Sequence, residues 1–396
     1  MIPLKKILFF FTLCFTSIGF SQPQLSPKAQ ISVITCGAGE ELYSTFGHSA
    51  FRVQDASLGV DIVYNYGTFD FNTPNFYLKF ARGKLLYTLS RQQMDRFLYE
   101  YELENRWVKE QLLDLTNREK NELFQFLENN YLPENRDYKY DFFYDNCSTK
   151  MGDALEKVFE NKLAFDTDYL EKLYTFRELI HQNLAINSWP AFGIDVALGS
   201  VIDKKATPKE HMFLPNYVLG QLNNTDLDQK PLVQRERTIL DKKPKTPSSY
   251  ILAGPLFWFI LLMLFVLVIT YIDFKNKTRS RWLDFLLFFS TGTIGLLICF
   301  LWFFTDHSAT AGNFNILWAF PLNIVLAFYL VREGIMPKWT PRYFPALLGL
   351  IVLAFVFWIL KIQAYSPLLI PIWIALVARY LLLFQNYRTP LKKRAI

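Results

Sequence analysis

Histidine and cysteine are both scarce in this chain of 396 residues, with four copies of each. No Cys and His residues stand at the spacing of a zinc site, and no glycine-rich run has the form of a phosphate-binding loop. Neither a metal nor another cofactor is therefore expected. Gly47, His48, Ser49 and Ala50 lack the G-x-S-x-G spacing of a serine nucleophile elbow. Internal repeats and low-complexity tracts are missing as well. The net charge of +6 also lacks a basic soluble surface behind it: from Thr246 onward there are 13 Lys and Arg against 4 Asp and Glu, which leaves −3 for the rest. That distribution argues against a nucleic-acid partner, because the positive charge flanks apolar runs.

Apolar residues make up 51% of the chain and crowd into its last third. Five runs, at about 250–272, 283–303, 316–332, 343–361 and 366–386, are each about long enough to cross a hydrocarbon core of about 30 Å. Lys275, Lys277, Arg279 and Arg281 lie between the first two, and Arg332, Lys338 and Arg342 between the third and fourth. The tail adds Arg388, Lys392, Lys393 and Arg394. By the positive-inside rule these segments face the cytoplasm, and the loop Thr305 to Asn315 faces outward. At the other end, Lys5 and Lys6 precede an apolar stretch from Ile7 to Phe20, with Gly19 and Ser21 as small residues for cleavage. This reads as a secretory signal peptide, or an uncleaved anchor. Leader and loop charges agree on an exported N-terminal domain anchored by membrane helices. The expected division is a signal peptide over 1–21, an exported domain over 22–225, a linker over 226–249, membrane helices over 250–387 and a basic cytoplasmic tail over 388–396.

In the exported part, Ile31–Cys36, His48–Val53, Val60–Gly67 and Leu85–Leu89 read as strands, with a hairpin turn over Asp55–Gly59. Thr116 and Glu119 form a capping box for a helix to about Tyr131, with Leu123, Phe126 and Leu127 on one face. A second helix begins near Cys147, where Met151, Ala154, Leu155, Val158 and Phe159 follow helical spacing. The domain is α+β.

Cys14 and Cys299 sit in apolar runs, which leaves Cys36 and Cys147 for chemistry or for a disulfide with each other. Cys147 follows Asp145 and Asn146, either of which is a natural N-cap. A thiol at a helix start gains acidity from the positive end of the dipole, and the free N–H groups there can bind an oxyanion. Of the histidines, His48 is the best base: it opens a strand after Gly47, and glycine permits close backbone approach. Pairing Gln54 with Val60 sets His48 opposite Tyr66, and a slip of one residue sets it opposite Asn65; either could hold the imidazole. His181 and His211 read as solvated. His307, in the outward loop with Asn315, is a candidate for substrate or lipid contact, as is Arg52. The aromatics between Asn65 and Gly83 read as core, or alternatively as a membrane-facing acyl groove.

A histidine on an early strand with a cysteine at a helix start about 100 residues later resembles the circularly permuted, papain-like NlpC-type enzymes. Their lecithin:retinol acyltransferase-like branch carries an Asn-Cys pair matched by Asn146 and Cys147. TCGAGEELYSTFGHSAFRV, VYNYGTFDF, FYDNCSTK, GIDVALGSVIDK, FLPN and FFTDHSATAGNFNILWAFPL together resemble the lipoprotein N-acyltransferase family of Bacteroidota. That resemblance implies a membrane enzyme, in the inner membrane of a bacterium, that moves a fatty acyl chain from a phospholipid to the α-amine of a diacylated lipoprotein. Cys147 would carry a thioester and His48 would shuttle the proton. Two other readings compete: a cell-wall amidase or endopeptidase of NlpC type, and a non-catalytic lipid-binding module whose Cys36 and Cys147 are joined.

Overall fold

A computed structural model describes residues 24–243, 251–332 and 336–388. The expected signal peptide and most of the basic tail lie outside these residues. The four expected strands fold as β1 (Gln30–Cys36), β2 (His48–Asp55), β3 (Val60–Thr68) and β4 (Leu86–Gln93). With β5 (Val108–Leu113), β6 (Asp137–Lys139) and β10 (Val233–Leu240) they form an antiparallel sheet of seven strands in the order β10-β5-β1-β2-β3-β4-β6. A smaller sheet joins β7 (Leu163–Phe165), β8 (Thr225–Leu227) and β9 (Lys230–Pro231).

Alternation along the strands sends side chains to opposite faces of the large sheet. Val33, Phe51, Val53 and Leu89 pack under α3 (Asn117–Tyr131) and α4 (Thr149–Phe159), while Ile34, Ala50 and Val63 meet Phe97 of α2 (Met94–Leu103). Apart from Ala50, each of these side chains, fully withdrawn from water, contributes about 1.5–3 kcal/mol of transfer free energy. The helix starting at Thr116 has both halves of its capping box, with Glu119 N–H donating to Thr116 Oγ1 at 3.3 Å and Thr116 N–H to Glu119 Oε2 at 2.8 Å. Phe124 is buried on that helix beside Leu123 and Leu127, whereas Phe126 is half-buried. A short α1 (Phe76–Ala81) precedes β4, and α5 (Phe176–His181), α6 (Trp189–Ala197), α7 (Pro208–His211) and α8 (Pro215–Asn223) complete the domain.

One expectation needs correction. Much of the segment read as a linker is sheet: Val233–Leu240 is the edge strand β10 on β5. Its Gln234, Arg235, Glu236 and Arg237 are exposed, as charge on a protected edge should be, and this polarity hides the strand from a search for alternating apolar residues. Arg237 pairs with Glu110 and Lys109 with Glu236 at 3.0 Å.

Among the described residues of the membrane part, four helices are long and apolar enough to span, against the five apolar runs of the sequence: α9 (Pro255–Asn276), α10 (Arg281–Phe303), α12 (Thr340–Ile359) and α13 (Leu369–Arg388). The run at 316–332 instead yields a 3₁₀ turn at Phe314–Leu317 and α11 (Asn323–Val331). At nine residues, α11 reaches about 14 Å, half a hydrocarbon core. Pro321, without an N–H, stands where the helix would have to continue. The interrupted segment lies directly on α10, where a Cβ at Gly292 would come within 2.3 Å of Ile324 N and one at Gly295 within 2.0 Å of Ala319 O. Charge inside this part is paired: buried Arg379 of α13 meets Asp273 at 2.7 Å and Asp284 at 2.6 Å, tying α9, α10 and α13 together.

Candidate active site

His48 begins β2 opposite Cys36 of β1. In the β2–β3 ladder Asp55 pairs with Val60 and Phe51 with Tyr64, a register one residue from the expected Tyr66 pairing and two from the Asn65 pairing. Continued to His48, it points at Gly67. Asn65 is then the diagonal neighbour on the same face, and Tyr66 belongs to the other. His48 Nε2–H donates to Asn65 Oδ1 at 2.6 Å. Tyr66 does not touch the imidazole; it sits in the core, where its hydroxyl accepts from Asn130 Nδ2 at 2.9 Å.

With Nε2 committed to Asn65, Nδ1 is the nitrogen left for Cys147, whose thiol is in hydrogen-bond contact with the ring. The β3–β4 ladder is irregular between Asn65 and Thr68, and Gly67 within that bulge has φ of 88°. A Cβ at Gly67 would lie 3.5 Å from Cys147 Cβ, in ordinary contact, so it is the left-handed φ rather than lack of space that favours glycine beside the thiol. Glycine in a strand pattern is the sequence signal for such an approach, and it stands in plain view in NYGT. Gly47 is equally constrained, since its φ is 83° and a Cβ would come within 2.7 Å of Cys36 O.

Cys147 stands just ahead of α4, whose N-cap is Ser148. Asn146 builds the turn: its Oδ1 accepts from Ser148 N–H at 2.8 Å and Thr149 N–H at 2.9 Å, and its Nδ2 donates to Phe142 O at 2.7 Å and Phe213 O at 2.8 Å. The N–H groups expected to bind an oxyanion are therefore occupied by Asn146. Two other donors stand at the thiol, the Ser49 N–H and the Ser148 hydroxyl, and neither is evident from sequence. Asp145 turns away and pairs with Lys150 at 2.5 Å.

Burial alone would push the Cys147 thiol up. The His48 charge and hydrogen bond, the Ser49 N–H and the Ser148 hydroxyl outweigh it and bring the thiol down to about 7. Burial works to lower His48, yet the thiolate charge and the bonds to Cys147 and Asn65 leave its pKa raised. Both shifts favour a thiolate–imidazolium pair. Cys36 is the contrast: burial pushes it up to about 12 despite Arg106 nearby. Both cysteines are free thiols, so the disulfide expected by the non-catalytic reading is absent.

The remaining candidates lie elsewhere. Arg52 is buried, holding Asp61 at 2.6 Å and Glu110 at 2.8 Å, and is a structural ion pair within the sheet. Asn315 is fully buried; its Nδ2 donates to Asp195 O at 2.9 Å, and its Oδ1 accepts from the Trp318 indole at 2.8 Å. With Asn313, which donates to Val196 O at 2.8 Å, it fastens the outward loop to α6. Replacing Asn315 by alanine should cost about 1–3 kcal/mol by orphaning these groups. A lowered melting temperature with unchanged Cys147 alkylation at low temperature is the expected result. His211 is buried rather than solvated, and His181 is half-buried in an ion-pair contact. His181 pairs with Asp195 at 2.9 Å, and fully buried His211 donates from Nδ1 to Thr207 O at 2.8 Å while accepting Tyr174 N–H at 3.3 Å.

His307 does reach the site. It lines a cavity of about 780 Å³ together with Cys147, His48, Asn65 and Leu301, so both parts of the chain contribute to one chamber. Its Nε2–H donates to Phe80 O at 3.1 Å.

Fold and site together define a protein with an apolar helical membrane part and an N-terminal domain that sets the Cys147 thiol beside the His48 imidazole in a largely apolar chamber. The chain belongs to the Lnb family: residues 22–182 match the Lnb N-terminal periplasmic domain and residues 246–390 the Lnb transmembrane domain. Membership places it among membrane proteins of lipoprotein processing and the site on the periplasmic side. No curated protein and no solved structure matches the chain.

Proposed function

We propose that this protein is a lipoprotein N-acyltransferase working through a thioester on Cys147. The observation that carries the reading is the Cys147–His48–Asn65 constellation opening into a chamber shared with the membrane part. His48 takes the thiol proton, and the thiolate attacks an ester carbonyl of a phospholipid. Collapse of the tetrahedral intermediate expels the lysophospholipid alkoxide, which His48 protonates, and the acyl chain stays on sulfur. The α-amine of a diacylglyceryl-cysteine then attacks the thioester, loses its proton to His48 and leaves as the amide, and the thiol is regenerated. Asn65 keeps the ring in the tautomer and orientation this shuttle needs. Both substrates reside in the bilayer, so anchoring the site raises their effective concentration. The C-terminus is assigned to the cytoplasm by the loop charges.

A cell-wall amidase would have to fit a polar peptide among aromatic walls, which favours the acyl reading. Purified protein in nanodiscs should move labelled acyl chains from phospholipid onto an N-terminally free diacylated lipopeptide. Release of muropeptide fragments without such transfer would sink the proposal.

The acidity of Cys147 sets the pH dependence. The attacking form is the thiolate, so acylation of the enzyme should fall as pH drops through about 7 and level off above it. Single-turnover thioester formation without acceptor measures this step free of the amine's own titration. A flat profile from pH 5 to 8 would exclude thiolate attack.

A further inference from the structure

The chamber has an aromatic arm that leads away from the thiol. Tyr140 lies beside Cys147: a Cβ at Gly67 would be 3.8 Å from its ring edge and 3.5 Å from Cys147 Cβ. Tyr140 stacks on Tyr87 at 4.2 Å between centroids, Tyr87 meets Phe69 at 5.4 Å, and Phe69 meets Phe71 at 5.1 Å. The wall ends at an exposed lip formed by Phe71 and the outer face of α1, where Tyr77 is 80%, Leu78 57% and Phe80 53% exposed. A soluble domain rarely leaves so many large apolar side chains together in water.

The height of this lip follows from α10. That helix ends at Phe303, and Asp306 N–H donates to Arg82 O at 2.9 Å while His307 holds Phe80 O at 3.1 Å. Three or four residues of chain reach at most about 14 Å, which keeps the end of α1 in the headgroup layer above the hydrocarbon core. Exposed Arg82 and Lys84 beside the aromatics match the composition of a segment lying in a membrane interface.

We infer that the lip formed by α1 and Phe71 is embedded in the outer leaflet of the bilayer that anchors this chain, and that the Phe69–Tyr87–Tyr140 wall is the binding site for a long acyl chain entering sideways from that leaflet. His307 is a positioning residue: it pins the lip to the membrane helix. This deepens the acyltransferase reading and rests on it for the identity of the donor.

The test uses full-length protein in phosphatidylethanolamine-containing nanodiscs. Tyr77→Ser combined with Leu78→Ser removes apolar area from the lip without touching the Cys147 constellation. Thioester formation from the bilayer phospholipid should drop about ten-fold or more. Acylation by water-soluble p-nitrophenyl butyrate, and iodoacetamide alkylation of Cys147, should stay within about two-fold of the parent, which also certifies the fold. Equal rates from bilayer phospholipid in parent and variant would overturn the inference while leaving the acyltransferase reading intact. Failure of the parent itself to form a thioester from any phospholipid would instead overturn the reading beneath it. As a second measurement, a phospholipid with a diazirine in its acyl chain should label residues 69–87 in Cys147→Ala protein; labelling confined to the membrane helices would likewise overturn the inference.

Discussion

Cys147→Ser should abolish acyl transfer, by about 10⁴-fold or more, while the protein accumulates in the membrane at its normal level. A serine hydroxyl is nearly isosteric with the thiol, so the turn built by Asn146 and the packing of α4 need not change. What is lost is the ionised nucleophile. The surroundings bring the thiol to about 7, but the same donors cannot bring an alcohol near that range. The variant should also fail to accumulate a hydroxylamine-sensitive acyl adduct when phospholipid is supplied without acceptor. Cys36→Ala is the internal control: that thiol is pushed up to about 12 and should contribute no adduct. A labelled thioester on Cys36, or full transfer by Cys147→Ser, would move the chemistry away from Cys147.

His48→Ala should lower enzyme acylation by about 10²- to 10⁴-fold, the span of a positioned general base. It removes the charge that does most to counter the effect of burial on Cys147. Without it the thiol should titrate well above about 7, and iodoacetamide alkylation at neutral pH should slow in parallel with acylation. Raising the pH should recover part of the first step and little of the second, because His48 also takes the proton from the incoming amine. Retention of the parent profile would mean another group ionises the thiol. Neither of the two other histidines in this domain is free for that task, since His181 pairs with Asp195 and His211 is enclosed between Thr207 and Tyr174.

The parts of this picture readable along the chain are those set by near neighbours. Strands β1 to β4, the capping box at Thr116 and the apolar stripe from Met151 to Phe159 all obey rules acting over a few residues, and all appear. The pairing of a strand-initial His48 with a helix-initial Cys147 was visible for the same reason: each stands at an element boundary marked by glycine or by a capping residue. Among the described residues, four of the five apolar runs form helices long and apolar enough to span, and the fifth is interrupted at Pro321.

The remaining decisions belong to contacts between distant residues. One position of strand register separates Asn65 from Tyr66 as the partner of His48, and period-two alternation turns that single step into opposite faces of the sheet. Whether Arg52 meets substrate or is buried against Asp61 and Glu110, and whether Asn315 touches lipid or clamps Asp195, depends on what folds over each. Their own sequence neighbourhoods carry no trace of it. The activated thiol is the clearest case. Sequence by itself singled out Cys147 and His48 as candidates and set their domain outside a membrane anchor. Only the tertiary structure decided that Cys147 and not Cys36 is acidic, because the charge and hydrogen bonds that oppose burial come from β2 and the turn before α4 and converge on one sulfur.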